Sequence, residues 1–235
     1  MSTGTLYVVG LPIGNLGDLT PRAREVLASV DLVLCEDTRH TGRLLHRLGI
    51  SRPLWSYHEH NEAQRVPGVL QRLQQGQRIA LVADAGTPLV SDPGFRLVRA
   101  ARQAGIPVIP VPGPSAVVAA LSVAGFPTDR FAFEGFPPRK AQRLQRYLED
   151  LRQEDRTLVF YESVHRVVKF LETLQRLWGD VPVFVAREMT KRHETYLYGR
   201  ISEVLPRIVP RGEFVIVVPG RRYRERLEAN EPEGL

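Results

Sequence analysis

The run IALVADAGTPLVSDPG, Ile79–Gly94, carries the architecture of this chain. Five apolar residues, Ile79–Ala83, give way at once to an acid, a glycine and a proline. A short continuous apolar run closed by turn residues fits a strand buried on both faces. Beyond it, Asp92-Pro93 reads as the N-cap and first residue of a helix reaching Ala104. The same unit recurs along the first half. LYVVG precedes LPIGN (Leu11–Asn15), LVLC precedes EDTRHT (Glu36–Thr41), PLWSY precedes HEHNE (His58–Glu62), and PVIPV precedes PGPSA (Pro112–Ala116). Helical patterns fill the gaps at Pro21–Ser29, Gly42–Leu48 and Glu62–Gln75. Thr20-Pro21 is a cap pair, and Pro67 is expected to break or delay the third helix. Strands alternating with helices predict an α/β fold with a mainly parallel sheet. The loops after such strands gather on one edge, where ligands bind. Five polar loops punctuated by Gly and Pro therefore predict one composite pocket.

The small-residue run SAVVAALSVAG, after the fifth unit, predicts a buried helix, and GFPTDR (Gly125–Arg130) is the expected domain boundary. This gives a first domain over 1–125, a second over 126–220, and a charged, frayed tail over 221–235. Strands of the second domain are expected near Phe131–Glu134, Thr157–Tyr161, Val183–Ala186, Glu194–Tyr198 and Phe214–Val218. Helices are expected near Lys140–Arg152, Val164–Trp178 and Ser202–Ile208. The link from Ala186 to Glu194 is too short for a helical crossover, so that strand pair is antiparallel and the second sheet is mixed.

With 235 residues, 43% of them apolar, the chain can build one large or two modest domains. No run of about 18 apolar residues exists, which argues against a membrane-spanning helix. The first residues lack the basic start and apolar core of a signal peptide, so a cytoplasmic protein is expected. A single cysteine, Cys35, excludes an intramolecular disulfide and reads as a small buried apolar residue. The formal charge is +6, and of 32 basic residues only Lys140, Lys169 and Lys191 are lysines. Arginine suits bidentate phosphate recognition, so a polyanionic partner fits, although an Arg-rich codon bias would give the same composition.

In DAGTP, Asp84 ends a buried strand, where its carboxylate can take a ribose hydroxyl or an ammonium group; Gly86 permits close approach to the backbone. PGPSA is a stiff loop ending in the hydroxyl of Ser115. No G-x-x-x-x-G-K-[ST] is present, and no G-x-G-x-x-G follows the first strand, so a nucleoside di- or triphosphate is not the expected ligand. HEHNE lacks a convincing set of three or four metal ligands, and no metal is expected. In GFPPRK, Arg139 and Lys140 stand at a helix start, where the dipole disfavours cations, which suggests an anionic partner. YESVHR (Tyr161–Arg166) ends a buried strand with polar groups. In REMTKRHE (Arg187–Glu194) every residue but Met189 is polar or charged. Gly212, before GEFVIVV, is a possible point of ligand approach.

Together, VGLPIGNLGD, CEDTRHT, SYHEHNE, ALVADAGTPLVSDPG, VPGPSAVVAAL, FEGFPPRK, TLVFYESVHR and VAREMTKRHE resemble the ribosomal RNA small subunit methyltransferase I family of the tetrapyrrole methylase superfamily. PGPSA recurs across the superfamily; HEHNE, FYESVHR and REMTKRHE are more specific. Departures such as Gly10, Val164 and Met189 remove no polar group. The resemblance implies two α/β domains of the tetrapyrrole methylase type, with S-adenosylmethionine (SAM) folded between them. It implies methylation of the ribose 2′-hydroxyl of a cytidine in the decoding region of 16S rRNA, by a homodimer acting on the small ribosomal subunit. It assigns SAM contacts to Pro12, Asp84, Gly86, Leu89, Ser115, Ala116 and Tyr161. Candidate RNA phosphate contacts are Arg39, Arg139, Lys140, Arg166, Arg187 and Arg192. The base is open among Glu36, Asp37, His58, Glu59, Glu188 and Lys191, with Lys191 or Glu188 preferred; a lysine serves only if its pKa is depressed. The rival readings are a precorrin-type C-methyltransferase, a non-catalytic RNA-binding assembly protein, and a metal-dependent hydrolase at HEHNE.

Overall fold

The computed structural model describes residues 3–229. It comprises two compact units, the first ending at Ser115 and the second starting at Ala116. The boundary foreseen at Gly125–Arg130 lies later, because the intervening helix packs on a strand of the second sheet.

In the first unit the strands are β1 (Thr5–Val9), β2 (Leu32–Cys35), β3 (Leu54–Ser56), β4 (Arg78–Leu81) and β5 (Val108–Val111). They form one parallel sheet in the order β3-β2-β4-β1-β5. The helices are α1 (Pro21–Ser29), α2 (Thr38–Arg47), α3 (Glu62–Gln74) and α4 (Phe95–Gln103). Alternate strand residues face opposite layers. Val9, Val33, Cys35, Ala80 and Val111 pack with Ala23, Val26 and Leu27 of α1 and Leu45 of α2. Leu6, Leu32, Leu34, Ile79 and Leu81 pack with Val69 and Leu73 of α3 and Leu97 and Ala101 of α4. Burial on both faces is why the strands read as unbroken apolar runs. The central strand β4 lies between β1 and β2, whose following helices leave to one face, whereas the helix after β4 leaves to the other. The loops therefore part at the carboxyl end of β4, the switch point at which such sheets bind ligands.

Two local expectations fail for identifiable reasons. Pro67 sits inside α3 without breaking it. Ala63, whose carbonyl loses its partner, and Pro67 itself are both exposed, so the lost hydrogen bond falls on the solvent side of the helix. Asp92-Pro93 does not cap α4, which starts at Phe95 after Gly94 at φ +135°. Leu89 (φ +72°) and Ser91 (φ +66°) keep the chain in an irregular loop for longer.

The second unit opens with α5 (Ala116–Val123), followed by β6 (Phe131–Gly135), α6 (Ala141–Leu151), β7 (Thr157–Ser163), α7 (Val167–Trp178), β8 (Pro182–Arg187), β9 (Thr195–Arg200), α8 (Ile201–Val204), β10 (Glu213–Val218) and α9 (Arg221–Glu228). Its sheet runs β6-β7-β10-β8-β9, with β6–β7 parallel and the other pairs antiparallel. The expected antiparallel β8–β9 pair is present and the sheet is mixed. Phe160, Val183, Val185, Leu197, Phe214 and Ile216 pack under Leu144 and Leu148 of α6 and Phe170, Leu171 and Leu174 of α7. Part of the tail expected to fray is the helix α9. Arg224 is buried there, its guanidinium 4.3 Å from the Trp178 ring and bonded to the Arg152 carbonyl. Arg221 and Arg222 both pair with Asp155. The rest of the predicted tail, 230–235, lies outside the described residues.

Candidate active site

In the first unit, three loops at the carboxyl edge of the sheet are tied together by their backbones. Leu11 and Gly86 exchange both backbone hydrogen bonds, at 2.8 and 3.0 Å, which joins LPIGN to DAGTP. Gly86 holds φ +72°, a conformation that glycine adopts without cost. The Thr87 hydroxyl donates to the Pro114 carbonyl at 3.1 Å, which joins DAGTP to PGPSA. Gly10 and Gly113 touch backbone to backbone; a Cβ on Gly113 would meet the Gly10 oxygen at 2.7 Å. Pro12, Gly86 and Ser115 thus belong to one braced set of turns. Leu89 lies in the same DAGTP-following loop, and its side chain packs against the core and against Gly94.

Carboxylates crowd this edge. The Asp37 amide donates to Asp84 Oδ1 at 3.3 Å. Burial raises the Glu36 pKa, the Asp84 charge adds to that, and the Asp84 amide and His58 offset part of it. Asp92, read from sequence as a helix cap, is pushed up to about 7 by burial and then by the charges of Glu36 and Asp84. Burial also pushes the Cys35 thiol up to about 11, so it is a neutral packing group. An edge lined by acids repels phosphates and suits a ligand carrying positive charge. SAM, with a sulfonium and an ammonium group, fits this donor set.

The HEHNE turn is largely structural. Glu62 is buried, accepting from the Tyr57 hydroxyl and the Arg96 amide, each at 3.0 Å. Asn61 ties the turn together through the His58 amide and the Ser56 carbonyl. β3 ends at Ser56, so His58 and His60 do not share a strand face; their rings meet edge-on at 5.9 Å. His58 Nδ1 is buried without a partner among the described residues. Also among the described residues, no three His, Cys, Asp or Glu stand grouped as metal ligands would.

In the second unit, REMTKRHE forms a strained, stapled loop. Glu188 (φ +53°) and Thr190 (φ +66°) sit in the left-handed region that non-glycine residues rarely adopt. Lys191 Nζ lies 2.9 Å from Glu188 Oε1 and 2.7 Å from Glu213 Oε2. Burial acts against its charge, but the hydrogen bonds to Glu213 and Glu188 prevail and raise its pKa. The depressed pKa that a lysine base requires is therefore absent. Burial likewise disfavours ionised Glu188, yet Lys191 and the Glu213 amide hold its pKa below the ordinary value. The close approach at Gly212 is filled by the Glu188 side chain, whose Cγ a Cβ there would strike.

The candidate RNA contacts divide by environment. Arg39, Arg139, Lys140 and Arg192 are exposed, and Lys140 sits at the N-cap of α6 with no cap hydrogen bond. Arg166 is occupied by Glu162, whose side chain is fully buried, and by the Pro137 carbonyl. Arg187 bonds the His193 carbonyl and Thr195, bracing the loop it opens. Ala116 starts α5, and Tyr161 lies between the ring edges of Phe133 and Phe136, at centroid distances of 4.8 and 5.6 Å. The residue that sequence reasoning missed is Asp92. The only signal was an acid four residues after a buried-strand loop, masked by its resemblance to a cap.

The profile of the tetrapyrrole (corrin/porphyrin) methylases matches residues 5–205. The chain is 50% identical to the ribosomal RNA small subunit methyltransferase I of Xylella fastidiosa (strain Temecula1), over 98% of this chain and 87% of that protein. It is 49% identical to the protein of the same name from Escherichia coli O157:H7, covering 95% and 80%, and 48% identical to that of Synechocystis sp., covering 97% and 83%. Among solved structures, uroporphyrin-III-C-methyltransferase from Thermus thermophilus aligns with a TM-score of 0.62 at 25% identity, over 98% of this chain and all of that one. The methyltransferase CobJ aligns with a TM-score of 0.69 at 22% identity, over 93% and 95%.

Proposed function

The chain belongs to the ribosomal RNA small subunit methyltransferase I family of the tetrapyrrole methylases, and from that membership we propose that it methylates, with SAM, the ribose 2′-hydroxyl of a cytidine in the decoding region of 16S rRNA. The observation that carries the reading is identity of 45–50% over nearly the whole chain to proteins of that name. The solved neighbour named as a uroporphyrin-III-C-methyltransferase stands at 25%, which favours RNA over a tetrapyrrole acceptor.

SAM, when bound, supplies an electrophilic methyl group on a sulfonium leaving group. The protein's work is then alignment, proton removal and exclusion of water. Alignment alone can lower a barrier by roughly 7–11 kcal/mol. Pro12, Asp84, Gly86, Leu89 and Ser115 are the SAM contacts of the first unit in this proposal, with Leu89 acting through its main chain. Ala116 and Tyr161 of the second unit complete the set. Asp84 and its neighbouring acids balance the positive charge of the donor. Lys191 and Glu188 are the proposed catalytic pair, with the roles that their surroundings favour. Lys191, kept protonated, donates a hydrogen bond to the acceptor ribose. Glu188 Oε1 takes the bonds from Lys191 and the Glu213 amide, which leaves Oε2 for the hydroxyl proton. Arg39, Arg139, Lys140 and Arg192 contact RNA phosphates; Arg166 and Arg187 act through the loops they brace. The proposal includes a homodimer working in the cytoplasm on the small subunit. Among the described residues, no helix is long and apolar enough to cross a membrane.

The test is incubation with methyl-labelled SAM and small subunits that lack the modification, with a precorrin as the competing acceptor, followed by mapping of the label. A single 2′-O-methylated cytidine in 16S rRNA is the expected result. Label in the tetrapyrrole alone, or RNA binding without methyl incorporation, overturns the proposal in favour of a rival.

A further inference from the structure

The outer face of α2 carries a basic strip that helix stability explains only in its last turn, where the dipole favours His46 and Arg47. Arg39, Arg43 and Arg47 recur every four residues, all exposed, with His40 and His46 beside them and no acid anywhere in the helix. At a rise of 1.5 Å per residue, the arginines follow one another at about 6 Å along the axis. Like charges four apart destabilise a helix, and cations in the first turn oppose its dipole. Among the described residues only Asp37 answers them, capping the Arg39 and His40 amides at 2.7 and 3.3 Å and lying 3.7 Å from the Arg39 guanidinium. The Arg43 and Arg47 side chains have no hydrogen bond or ion pair among the described residues. Asp37, Thr38, Arg39, Gly42, Arg43, His46 and Arg47 line an open depression of about 730 Å³ on this face. The helix begins where β2 delivers the chain to the acidic edge, since the Asp37 amide bonds Asp84.

We propose that this strip is a docking surface for the phosphate backbone of the RNA flanking the target nucleotide, running outward from the donor loops along α2. The inference rests on the rRNA methyltransferase reading and adds Arg43, Arg47 and the depression between them to the substrate surface. Three spaced guanidiniums, those of Arg43 and Arg47 without a partner among the described residues and that of Arg39 paired only with Asp37, match a polyanionic strand, which returns the electrostatic stabilisation that the bare helix lacks.

The experiment measures binding of the full-length chain to unmodified small subunits across a salt series, for wild type and for Arg43→Ala/Arg47→Ala, with SAM affinity measured by calorimetry as the check on folding. Loss of two phosphate contacts is expected to weaken binding and to flatten the slope of log K against log salt by about 1.4. Arg43→Lys/Arg47→Lys, which keeps the charge, should restore most of the slope. Wild-type protein that methylates subunits while the alanine variant matches it in affinity and slope overturns the docking strip alone. Loss of affinity for intact subunits but not for naked 16S rRNA also overturns it, because the occupant is then a ribosomal protein. Wild-type protein that neither binds nor methylates subunits overturns both readings.

Discussion

Asp92 shows how much of the site depends on where a carboxyl is placed. Its pKa is pushed up to about 7, first by burial and then by Glu36 and Asp84. The folded state therefore keeps a proton that the unfolded chain, at an ordinary aspartate value of about 4, has already lost. Stability from this group falls as pH rises from that value to about 7, and the penalty is complete above it. Asp92→Asn removes the titration. Thermal melting should place the variant above wild type at pH 8, with a margin that shrinks toward pH 5; equal margins at both values contradict the crowded-acid picture. None of this was legible in SDPG, because a cap and a buried acid use the same letters, and only the positive φ values at Leu89 and Ser91 separate them. The same limit applied to Lys191. Sequence placed it in a charge-dense loop, but the partner that fixes its protonation, Glu213, lies 22 residues away.

The loops are as much braced as reactive, and their braces can be tested one at a time. Glu162 and Arg166 form an ion pair in which the carboxylate side chain is fully buried and the guanidinium 23% exposed. Arg166→Ala leaves that charge without its partner and should cost about 3 kcal/mol of stability, read by urea unfolding. A variant as stable as wild type would return Arg166 to the role of a free phosphate contact. Gly113 packs on the backbone of Gly10 within the first unit. Gly113→Ala drives a methyl group against a carbonyl that cannot move without its strand, at a cost on the order of 1–3 kcal/mol. Calorimetry should show weaker SAM binding as the LPIGN and PGPSA turns part; unchanged affinity would mean that these turns do not form the donor site. Elements with continuous apolar runs were readable from sequence because burial on both faces leaves no other pattern. Strand β2 and helix α1 occur with the bounds expected. α9 was not readable, because its anchoring depends on Arg224 reaching Trp178 and the Arg152 carbonyl, contacts remote in sequence.

The molecule as a whole divides its labour by charge. The first unit gathers acids at the carboxyl edge of its parallel sheet and arginines along α2; the second carries Arg139, Lys140 and Arg192 on exposed positions and keeps Lys191 charged. Both units were legible as α/β, and so was the change from a parallel to a mixed sheet. The division after Ser115 was not, because the packing of α5 on β10 leaves no mark in a run of small residues. The most direct measurement is single-turnover methyl transfer from labelled SAM to unmodified small subunits, comparing wild type with Asp84→Ala. Wild type is expected to label one ribose 2′-oxygen of 16S rRNA, and the variant to bind SAM roughly 10- to 100-fold more weakly and lose the transfer at limiting SAM. Wild type that leaves the rRNA unlabelled, or a variant that transfers as fast as wild type, would contradict an acid-lined donor site serving an RNA acceptor.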